Sequence, residues 1–173
     1  MKILNIHGYM GSSENFACSV LRKMGYDVIS PALDYDSMSP ENVLDILSQQ
    51  ITDNNITYIV GTSLGGFFGV VLSARLDIPV VLVNPCLIPF LTLSRLNFKG
   101  DIRPYVRLCA ETADIDISKT STIIGGNDDV IEYHDFTENL LRNERFLVIP
   151  DGKHSGSTLP LESYFGSIFK DRM

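Results

Sequence analysis

The stretch ITYIVGTSLGGFFG, from Ile56 to Gly69, places one serine among glycines at the junction of two apolar segments. The first segment, residues 57–61, has the β-branched composition of a buried strand, and residues 64–76 have the length and composition of a helix. Ser63 therefore lies where a predicted strand ends and a predicted helix begins. Glycines on both sides let neighbouring backbone approach the hydroxyl without side-chain clashes.

Short apolar runs of the same kind recur along the chain and alternate with helical patterns. Most are continuous rather than alternating in hydropathy, which is typical of strands buried on both faces of a parallel sheet. The predicted strands span residues 2–6, 27–31, 57–61, 79–84, 121–126 and 145–150. The predicted helices span residues 14–24, 64–76, 131–142 and 161–170, with another beginning at Pro40. This alternation predicts an α/β fold: an open, mostly parallel sheet of about six strands with helices on both faces, in three layers.

Two of the predicted helices carry signals for their ends. Ser39, Pro40 and Glu41 supply an N-cap, a proline at the first position and an acid near the positive end of the helix dipole. Gly25 is placed to end the helix over residues 14–24. These signals support the helix boundaries independently of hydropathy.

The interval from Leu87 to Lys119 departs from the strand and helix rhythm. It lacks a clear strand and carries Pro89 and Pro104 among mixed leucines, arginines and acids. We predict a small, mostly helical insertion at about residues 87–119, lying over one end of the sheet. No repeat or linker is apparent, and 173 residues suffice for one substantial core, so a single domain over residues 1–173 is expected.

Composition excludes several classes of protein. Hydrophobic residues make up 45% and charged residues 20%, which is ordinary for a globular domain, and the net charge of −7 argues against nucleic-acid binding. No apolar run is long enough to span a bilayer, and the N-terminal MKILNIHGYMG lacks a signal-peptide core. Three cysteines without a CxxC pair predict neither a zinc site nor a disulfide framework. We expect a cytoplasmic protein, of an oligomeric state that the sequence leaves open.

Residues Gly61 to Gly65 fit the pattern G-x-S-x-G, with the strand before it and the helix after it that this motif requires. The motif forms a sharp turn that lifts a nucleophilic hydroxyl above the sheet, at a helix N-terminus that favours developing negative charge. The alternative is a serine that merely caps a helix. The strand-turn-helix context favours Ser63 as a nucleophile.

A nucleophilic serine needs a histidine as its base, and the chain has three. His154 follows the last predicted strand, so its loop lies at the carboxyl edge of the sheet with Ser63. His134 falls in a predicted helix among acids, which indicates a solvent-facing residue. His7 ends the first strand, where we expect it to brace the following loop. His154 is the predicted base.

The third member of such a site is a carboxylate that orients the histidine. Asp128 and Asp129 follow the strand at 121–126, and Asp128 is the predicted acid, since its neighbour is more typical of an exposed acid starting a helix. The order Ser63, Asp128, His154 is the order expected of an α/β-hydrolase. No metal or organic cofactor is required by this chemistry.

Two backbone N–H groups are expected to bind the oxyanion that forms during acyl transfer. One belongs to Leu64, directly after the nucleophile, and the other lies in HGYMGSS after the first strand, where Tyr9 is favoured over Met10. A phosphate-binding loop is disfavoured there because the stretch lacks both G-x-G-x-x-G spacing and a Walker lysine.

The segments ILNIHGYMGSS, GTSLGG, VNPC, NDDVIEY and DGKHS occur in this order over nearly the whole chain. Together they resemble the α/β-hydrolases, and more narrowly the small YqiA-like esterases of the UPF0227 group. The resemblance implies a minimal hydrolase acting on carboxylic esters or thioesters, with Ser63, Asp128 and His154 at the family's triad positions.

The predicted function is therefore a serine carboxylesterase cleaving small-molecule esters with short acyl or aryl groups. Apolar residues near the expected site suggest an uncharged acyl group, although they also fit an ordinary core; they are Tyr9, Met10, Leu87, Ile88, Phe90 and Leu91. A thioesterase or peptidase would use the same residues. A catalytically silent binding protein on a hydrolase fold is the alternative of a different class.

Overall fold

The computed structural model describes residues 1–169 and contains one six-stranded sheet. Its strands are β1 (Lys2–Ile6), β2 (Asp27–Ile29), β3 (Tyr58–Thr62), β4 (Val80–Val83), β5 (Thr120–Gly125) and β6 (Phe146–Ile149). The strand order is β2-β1-β3-β4-β5-β6, and every neighbouring pair is parallel. The predicted open, parallel sheet of about six strands is confirmed. All strands consequently end at the same edge, where the loops after them gather.

Helices cover both faces of this sheet. They are α1 (Phe16–Lys23), α2 (Pro40–Asn54), α3 (Leu64–Leu76), α4 (Pro89–Leu93), α5 (Arg103–Leu108), α6 (His134–Leu141) and α7 (Leu161–Phe169). Alternate residues of each central strand enter two separate cores, one shared with α2 and α3 and the other with α1 and α7. In β3, for example, Ile59 packs in the first core and Val60 in the second. The expected three-layer architecture follows from this alternation. Position 170, where the predicted last helix ends, lies outside the described residues.

The capping signals in the sequence form the caps they predict. The Ser39 hydroxyl accepts a hydrogen bond from the backbone N–H of Asn42 at 3.2 Å, which satisfies one of the unpaired donors at the start of α2. Gly25 follows α1 with φ +87°, a left-handed conformation that glycine adopts without strain. Local sequence therefore determines where α2 begins and where α1 ends.

The segment between β4 and β5 contains α4, α5 and two short 3₁₀ turns, and it forms no strand between residues 84 and 119. Its Tyr105 is fully buried in the core beneath it. Nearer the surface, the ring of Phe98 packs edge-on against Tyr9, with ring centroids 5.4 Å apart, and the N–H of Lys99 donates to Asp36 at 2.9 Å. The segment therefore covers the loop that follows β1.

The last strand differs from the central ones in its exposure. Leu147 and Val148 of β6 are about two-fifths exposed, whereas every residue of β4 is buried. The prediction of continuously buried strands thus holds for the centre of the sheet and fails at this edge, because β6 pairs only with β5. Of the helices in residues 1–169, none has both the length and the hydropathy needed to cross a membrane.

Candidate active site

Ser63 occupies a sharp turn between β3 and α3. Its backbone adopts φ +54° and ψ −121°, a conformation that residues with a side chain rarely adopt. Three hydrogen bonds hold it: its N–H donates to Val83 at 3.0 Å, and its carbonyl accepts from Gly66 at 2.9 Å and Cys86 at 3.0 Å. The turn is thus fixed by the backbone, and it presents the hydroxyl at the carboxyl edge of the sheet.

Glycines surround Ser63 because other chain segments approach too closely for side chains. A Cβ added to Gly65 would lie 2.1 Å from the carbonyl oxygen of Ile6, and one added to Gly61 would lie 2.5 Å from the carbonyl oxygen of Gly65. A Cβ on Gly8 would lie 2.8 Å from the Cβ of Ser63 itself. The turn and the loop after β1 can therefore pack together only because Gly65 lies in the turn and Gly8 in the loop.

His154 lies in the loop between β6 and α7, within hydrogen-bonding distance of the serine. Its Nε2 is 3.1 Å from the Oγ of Ser63, and its Nδ1 is 2.9 Å from Oδ2 of Asp128. Since an ionised carboxylate can only accept, Nδ1 carries the proton and Nε2 is left to accept from the serine hydroxyl. The three predicted residues therefore form one hydrogen-bonded chain in the orientation that acyl transfer needs.

Asp128 follows β5, and its carboxylate is saturated with hydrogen bonds although its side chain is only 1% exposed. Oδ1 accepts the backbone N–H groups of Val130 at 2.8 Å and Ile131 at 2.9 Å, and Oδ2 accepts from two imidazoles. Burial by itself raises the pKa of Asp128, but the bonds from His134, His154 and the Ile131 N–H outweigh it and hold that pKa well below its ordinary value. The carboxylate stays ionised beside His154.

The second imidazole on Asp128 is that of His134, so the interpretation of His134 as a solvent-facing helical residue was wrong. Its Nε2 lies 2.9 Å from Oδ2 of Asp128, and its side chain is 13% exposed. The prediction failed because α6 begins at His134 itself, three residues later than expected, since Asp128 holds Val130 and Ile131 in a turn. The first residue of the helix consequently turns back toward the carboxylate.

Asn84, directly after β4, was not identified from the sequence as part of the site. It is fully buried with φ +44°, and its side-chain amide donates to the carbonyl oxygens of Lys153 and His154, each at 2.9 Å. Its amide oxygen accepts the N–H of Gly125 at 2.7 Å. Asn84 thus ties the His154 loop to the ends of β4 and β5. A polar residue ending an otherwise apolar strand was the available signal.

His7 serves the loop after β1, as its sequence position predicted. The N–H of Leu33 donates to its Nε2 at 3.0 Å, so its Nδ1 carries the proton and donates to the carbonyl of Gly8 at 2.8 Å. The hydroxyl of Tyr35 donates to the carbonyl of His7 at 2.6 Å. Both ring nitrogens of His7 are therefore occupied by backbone, which leaves His154 as the histidine available to Ser63.

The groups predicted to bind an oxyanion lie on either side of Ser63. Leu64 is the first residue of α3, where an N–H has no partner within the helix. Tyr9 and Met10 line the cavity at Ser63, in a turn closed by the N–H of Gly11 donating to Gly8 at 3.0 Å. The Tyr9 hydroxyl donates to Asp36 and its ring packs against Phe98, so the group of Tyr9 that could bind an oxyanion is its backbone N–H.

A cavity of about 240 Å³ opens beside Ser63 and His154. Of the six apolar residues named from the sequence, Tyr9 and Met10 line it, whereas Leu87 is buried in the core. The other walls come from α1, α7 and the loop between β6 and α7; these residues include Phe16, Ala17, Gly156 and Leu161. Among residues 1–169, no aspartate, glutamate, lysine or arginine lines the cavity, which fits an uncharged group.

Comparison with known families identifies the family of this chain. A model of UPF0227, described as an uncharacterised protein family, matches residues 2–159. The chain belongs to the UPF0227 family. The match includes Ser63, Asp128 and His154, and the resemblance inferred from the sequence is confirmed. A search of curated proteins found no significant match.

Solved structures with a similar fold include proteins described as esterases and lipolytic enzymes. One chain, from a structure described as that of LipS and LipT, two metagenome-derived lipolytic enzymes, matches at a TM-score of 0.68 and 16% identity, over 98% of this chain and 93% of that chain. Est1E from Butyrivibrio proteoclasticus matches at a TM-score of 0.70 and 20% identity, over 98% of this chain and 87% of that chain. The esterase RhEst1 from Rhodococcus sp. ECU1013 matches at a TM-score of 0.64 and 12% identity, over 99% of this chain and 90% of that chain. This UPF0227 protein therefore has the α/β-hydrolase fold.

Proposed function

We propose that this UPF0227 protein is a serine esterase that hydrolyses small, uncharged carboxylic esters through an acyl-enzyme. The observation that carries the proposal is the chain of hydrogen bonds from Ser63 through His154 to Asp128, with distances of 3.1 Å and 2.9 Å. The fold that the protein shares with esterases and lipases supports the same class of reaction.

In the first step, the Ser63 oxygen attacks the ester carbonyl carbon while Nε2 of His154 takes the hydroxyl proton. The carbonyl oxygen becomes an oxyanion, for which the N–H groups of Leu64 and Tyr9 are the proposed donors. Asp128 accepts the Nδ1 proton of His154 in a hydrogen bond and stabilises the imidazolium that forms. Collapse of the tetrahedral intermediate breaks the ester bond, and the imidazolium protonates the departing alcohol.

In the second step, water replaces the alcohol and attacks the acyl group carried by Ser63. His154 takes a proton from this water, and the same N–H donors bind the second oxyanion. When the intermediate collapses, the bond to the serine oxygen breaks and His154 returns the proton to it. The products are the free carboxylic acid and the original enzyme, so no metal or cofactor takes part.

The cavity beside Ser63 favours a small substrate. A volume of about 240 Å³ lies below the size of pockets that enclose drug-sized ligands, roughly 300–1,000 Å³. Its uncharged lining, with the Phe16 and Leu161 side chains, fits a short alkyl or aryl group. We therefore expect short acyl esters to be preferred to long ones.

The decisive experiment compares p-nitrophenyl esters of increasing acyl length with wild-type protein and Ser63→Ala. We expect measurable hydrolysis of the acetate and butyrate esters, and loss of kcat by roughly 10⁶-fold in the variant. Ser48→Ala, on α2 and outside the cavity, is the matched control and should retain wild-type turnover. A Ser63→Ala protein that keeps more than a tenth of the wild-type rate would contradict the proposal.

Two alternative functions use the same fold, and further assays on the wild-type protein and Ser63→Ala distinguish them from an esterase. A thioesterase would turn over acyl-CoA of the same acyl length with a higher kcat/KM than the oxygen ester. A silent binding protein would fail to react with a fluorophosphonate probe, which labels serines activated by a histidine. We expect labelling of wild type, none of Ser63→Ala, and a preference for the oxygen ester.

A further inference from the structure

Asp128 binds two histidines through one oxygen atom. Nδ1 of His154 and Nε2 of His134 each lie 2.9 Å from Oδ2, while the two backbone N–H groups of Val130 and Ile131 occupy Oδ1. A carboxylate offers about four acceptor sites, so this one is fully used. The reaction described above needs only the bond to His154, and the bond to His134 has no part in it.

His134 is set up to donate as a neutral imidazole. Its Nδ1 is buried and has no hydrogen-bond partner among residues 1–169, so a second proton placed there would have no acceptor. The proton of the neutral ring accordingly sits on Nε2, facing Asp128.

The charged groups around His134 come mainly from its own segment. Glu132, Asp135 and Glu138 line the small cavity on its outer side with Asp128, whereas β5 and β6 contribute only uncharged residues to that cavity. Arg95, after α4, pairs with Glu132 at 2.6 Å. In the part of the chain that the structure describes, no acidic or basic side chain other than His154 itself lines the cavity beside Ser63. Asp128 is therefore the charged group through which His134 can influence His154.

We propose that His134 is a positioning residue, a neutral donor that fixes the Asp128 carboxylate and limits how strongly that carboxylate holds a proton on His154. The proposal rests on the serine esterase function. By occupying the second site on Oδ2, His134 keeps that oxygen 2.9 Å from Nδ1 of His154 and withdraws part of its negative charge. His134 touches neither Ser63 nor the cavity beside it.

Removal of the donor has a predictable sign. Without His134, Oδ2 directs more of its charge to the His154 imidazolium, which then gives up its proton only at higher pH. The acid limb of the kcat/KM profile should move upward by about 0.5 to 1 pH unit. The rate above that limb should fall threefold to tenfold, because the carboxylate loses one of the contacts that orient it. A residue with a merely structural role would lower the rate without moving the limb.

The test uses a matched pair of amides, His134→Gln and His134→Asn. The glutamine amide nitrogen can reach the position of Nε2, whereas the shorter asparagine leaves a gap before Asp128. Neither amide can become a cation. We expect H134Q to keep the wild-type acid limb and H134N to show the upward shift, with His134→Phe behaving as H134N because it also lacks the donor.

Three readouts make the test independent of the substrate chosen: the pH profile of ester hydrolysis, the pH dependence of Ser63 labelling by the fluorophosphonate, and the low-field proton resonance of His154 Nδ1–H, which requires no turnover. An unshifted limb and resonance in both H134N and H134F would overturn the proposal. A shift in H134Q equal to that in H134N would overturn the neutral-donor role, since the amide restores donation without charge. Thermal unfolding of each variant identifies any that does not fold, in which case the folded members of the set decide.

The resonance also separates this proposal from the serine esterase function. If wild-type protein hydrolyses no ester and Ser63 is not labelled, the esterase proposal fails whatever the variants do. If hydrolysis and labelling are present, with no difference among wild type, H134Q, H134N and H134F, only the role of His134 fails.

Discussion

The two halves of the site are built in different ways. The nucleophile corner, Gly61–Gly66 with Gly8, is held by backbone: close glycine contacts and the three hydrogen bonds at Ser63 leave little room for change. The acid–base corner, Asp128, His134, His154 and Asn84, is held by side-chain hydrogen bonds between loops that are distant in sequence. One corner positions an atom by steric exclusion, and the other by polar contacts.

This difference has a consequence for mutation. A side chain added to one of the glycines of the nucleophile corner must move main chain, so its effect on activity comes with an effect on stability. A substitution in the acid–base corner exchanges one polar group for another of similar size, so it can change proton transfer while the fold persists. The predictions below test that distinction, beginning with the largest expected effect.

Asp128→Asn should lower kcat by about 10⁴-fold. The amide that replaces the carboxylate can donate to His154, which favours the tautomer with its proton on Nε2, where it cannot accept from Ser63. Ester hydrolysis near neutral pH measures the loss. Asp129→Asn, at the exposed neighbouring position, is the matched control and should turn over at the wild-type rate. Equal losses in the two variants would refute the role of Asp128.

Gly8→Ala should lower kcat about 10²-fold and also reduce the free energy of unfolding, by about 1–3 kcal/mol. The new Cβ would lie 2.8 Å from the Cβ of Ser63 and 3.3 Å from its Oγ, so the loop after β1 must retreat with its proposed oxyanion donor. Urea unfolding and turnover should be measured on the same preparation. Loss of activity with wild-type stability would show that the two corners do not differ as described.

Asn84→Asp should lower kcat tenfold to a hundredfold with a smaller change in KM. The carboxylate keeps the bond to the Gly125 N–H but faces the carbonyl oxygens of Lys153 and His154, which it repels. The loop bearing His154 would shift away from Ser63 while the cavity walls on α1 and α7 remain. Steady-state kinetics separates the two parameters. An increase confined to KM would indicate that Asn84 shapes the cavity rather than the base.

The smallest effect concerns stability in acid. Because the folded-state pKa of Asp128 is lowered, its carboxylate stabilises the fold at pH values above the ordinary carboxyl value of about 4. That contribution is lost as the pH falls through the window between this value and the lowered one. Wild type should therefore lose stability more steeply than Asp128→Asn below about pH 4, and urea midpoints as a function of pH measure it. Parallel curves would mean that Asp128 contributes nothing to acid unfolding.

The nucleophile corner could be predicted because its signals are local. Five residues around Ser63, together with a strand before and a helix after them, specify the turn. Parallel strands bring the residues that follow them to the same edge, so the positions of Asp128 and His154 after two predicted strands were the signal that selected them. The start of α2 and the end of α1 follow from capping residues, and the buried central strands follow from hydropathy, in the same local way.

The rest of the acid–base corner could not be predicted, for identifiable reasons. The polar neighbours of His134 indicate an exposed face, and its contact with Asp128 depends on where α6 begins, which the side chain of Asp128 itself decides. Asn84 is uncharged, so its residue type did not indicate a role in the site, and both segments that it joins lie far away in sequence. The source of the cavity walls was missed because the apolar residues after β4 lie elsewhere: Leu87 enters the core, Ile88 and Phe90 are half-buried, and Leu91 is exposed. Residues of α1 line the cavity instead.

The unusual backbone conformation of Ser63 implies that the protein has lower stability than it could have, in exchange for an accessible hydroxyl. A non-glycine residue at φ +54° stores strain of the order of 1–3 kcal/mol, and a glycine there would be relieved of it. The chain thus tolerates a less stable fold so that one oxygen stands clear of the sheet. If this protein were selected only for thermal stability, we would expect replacement of Ser63 by glycine to be among the first changes.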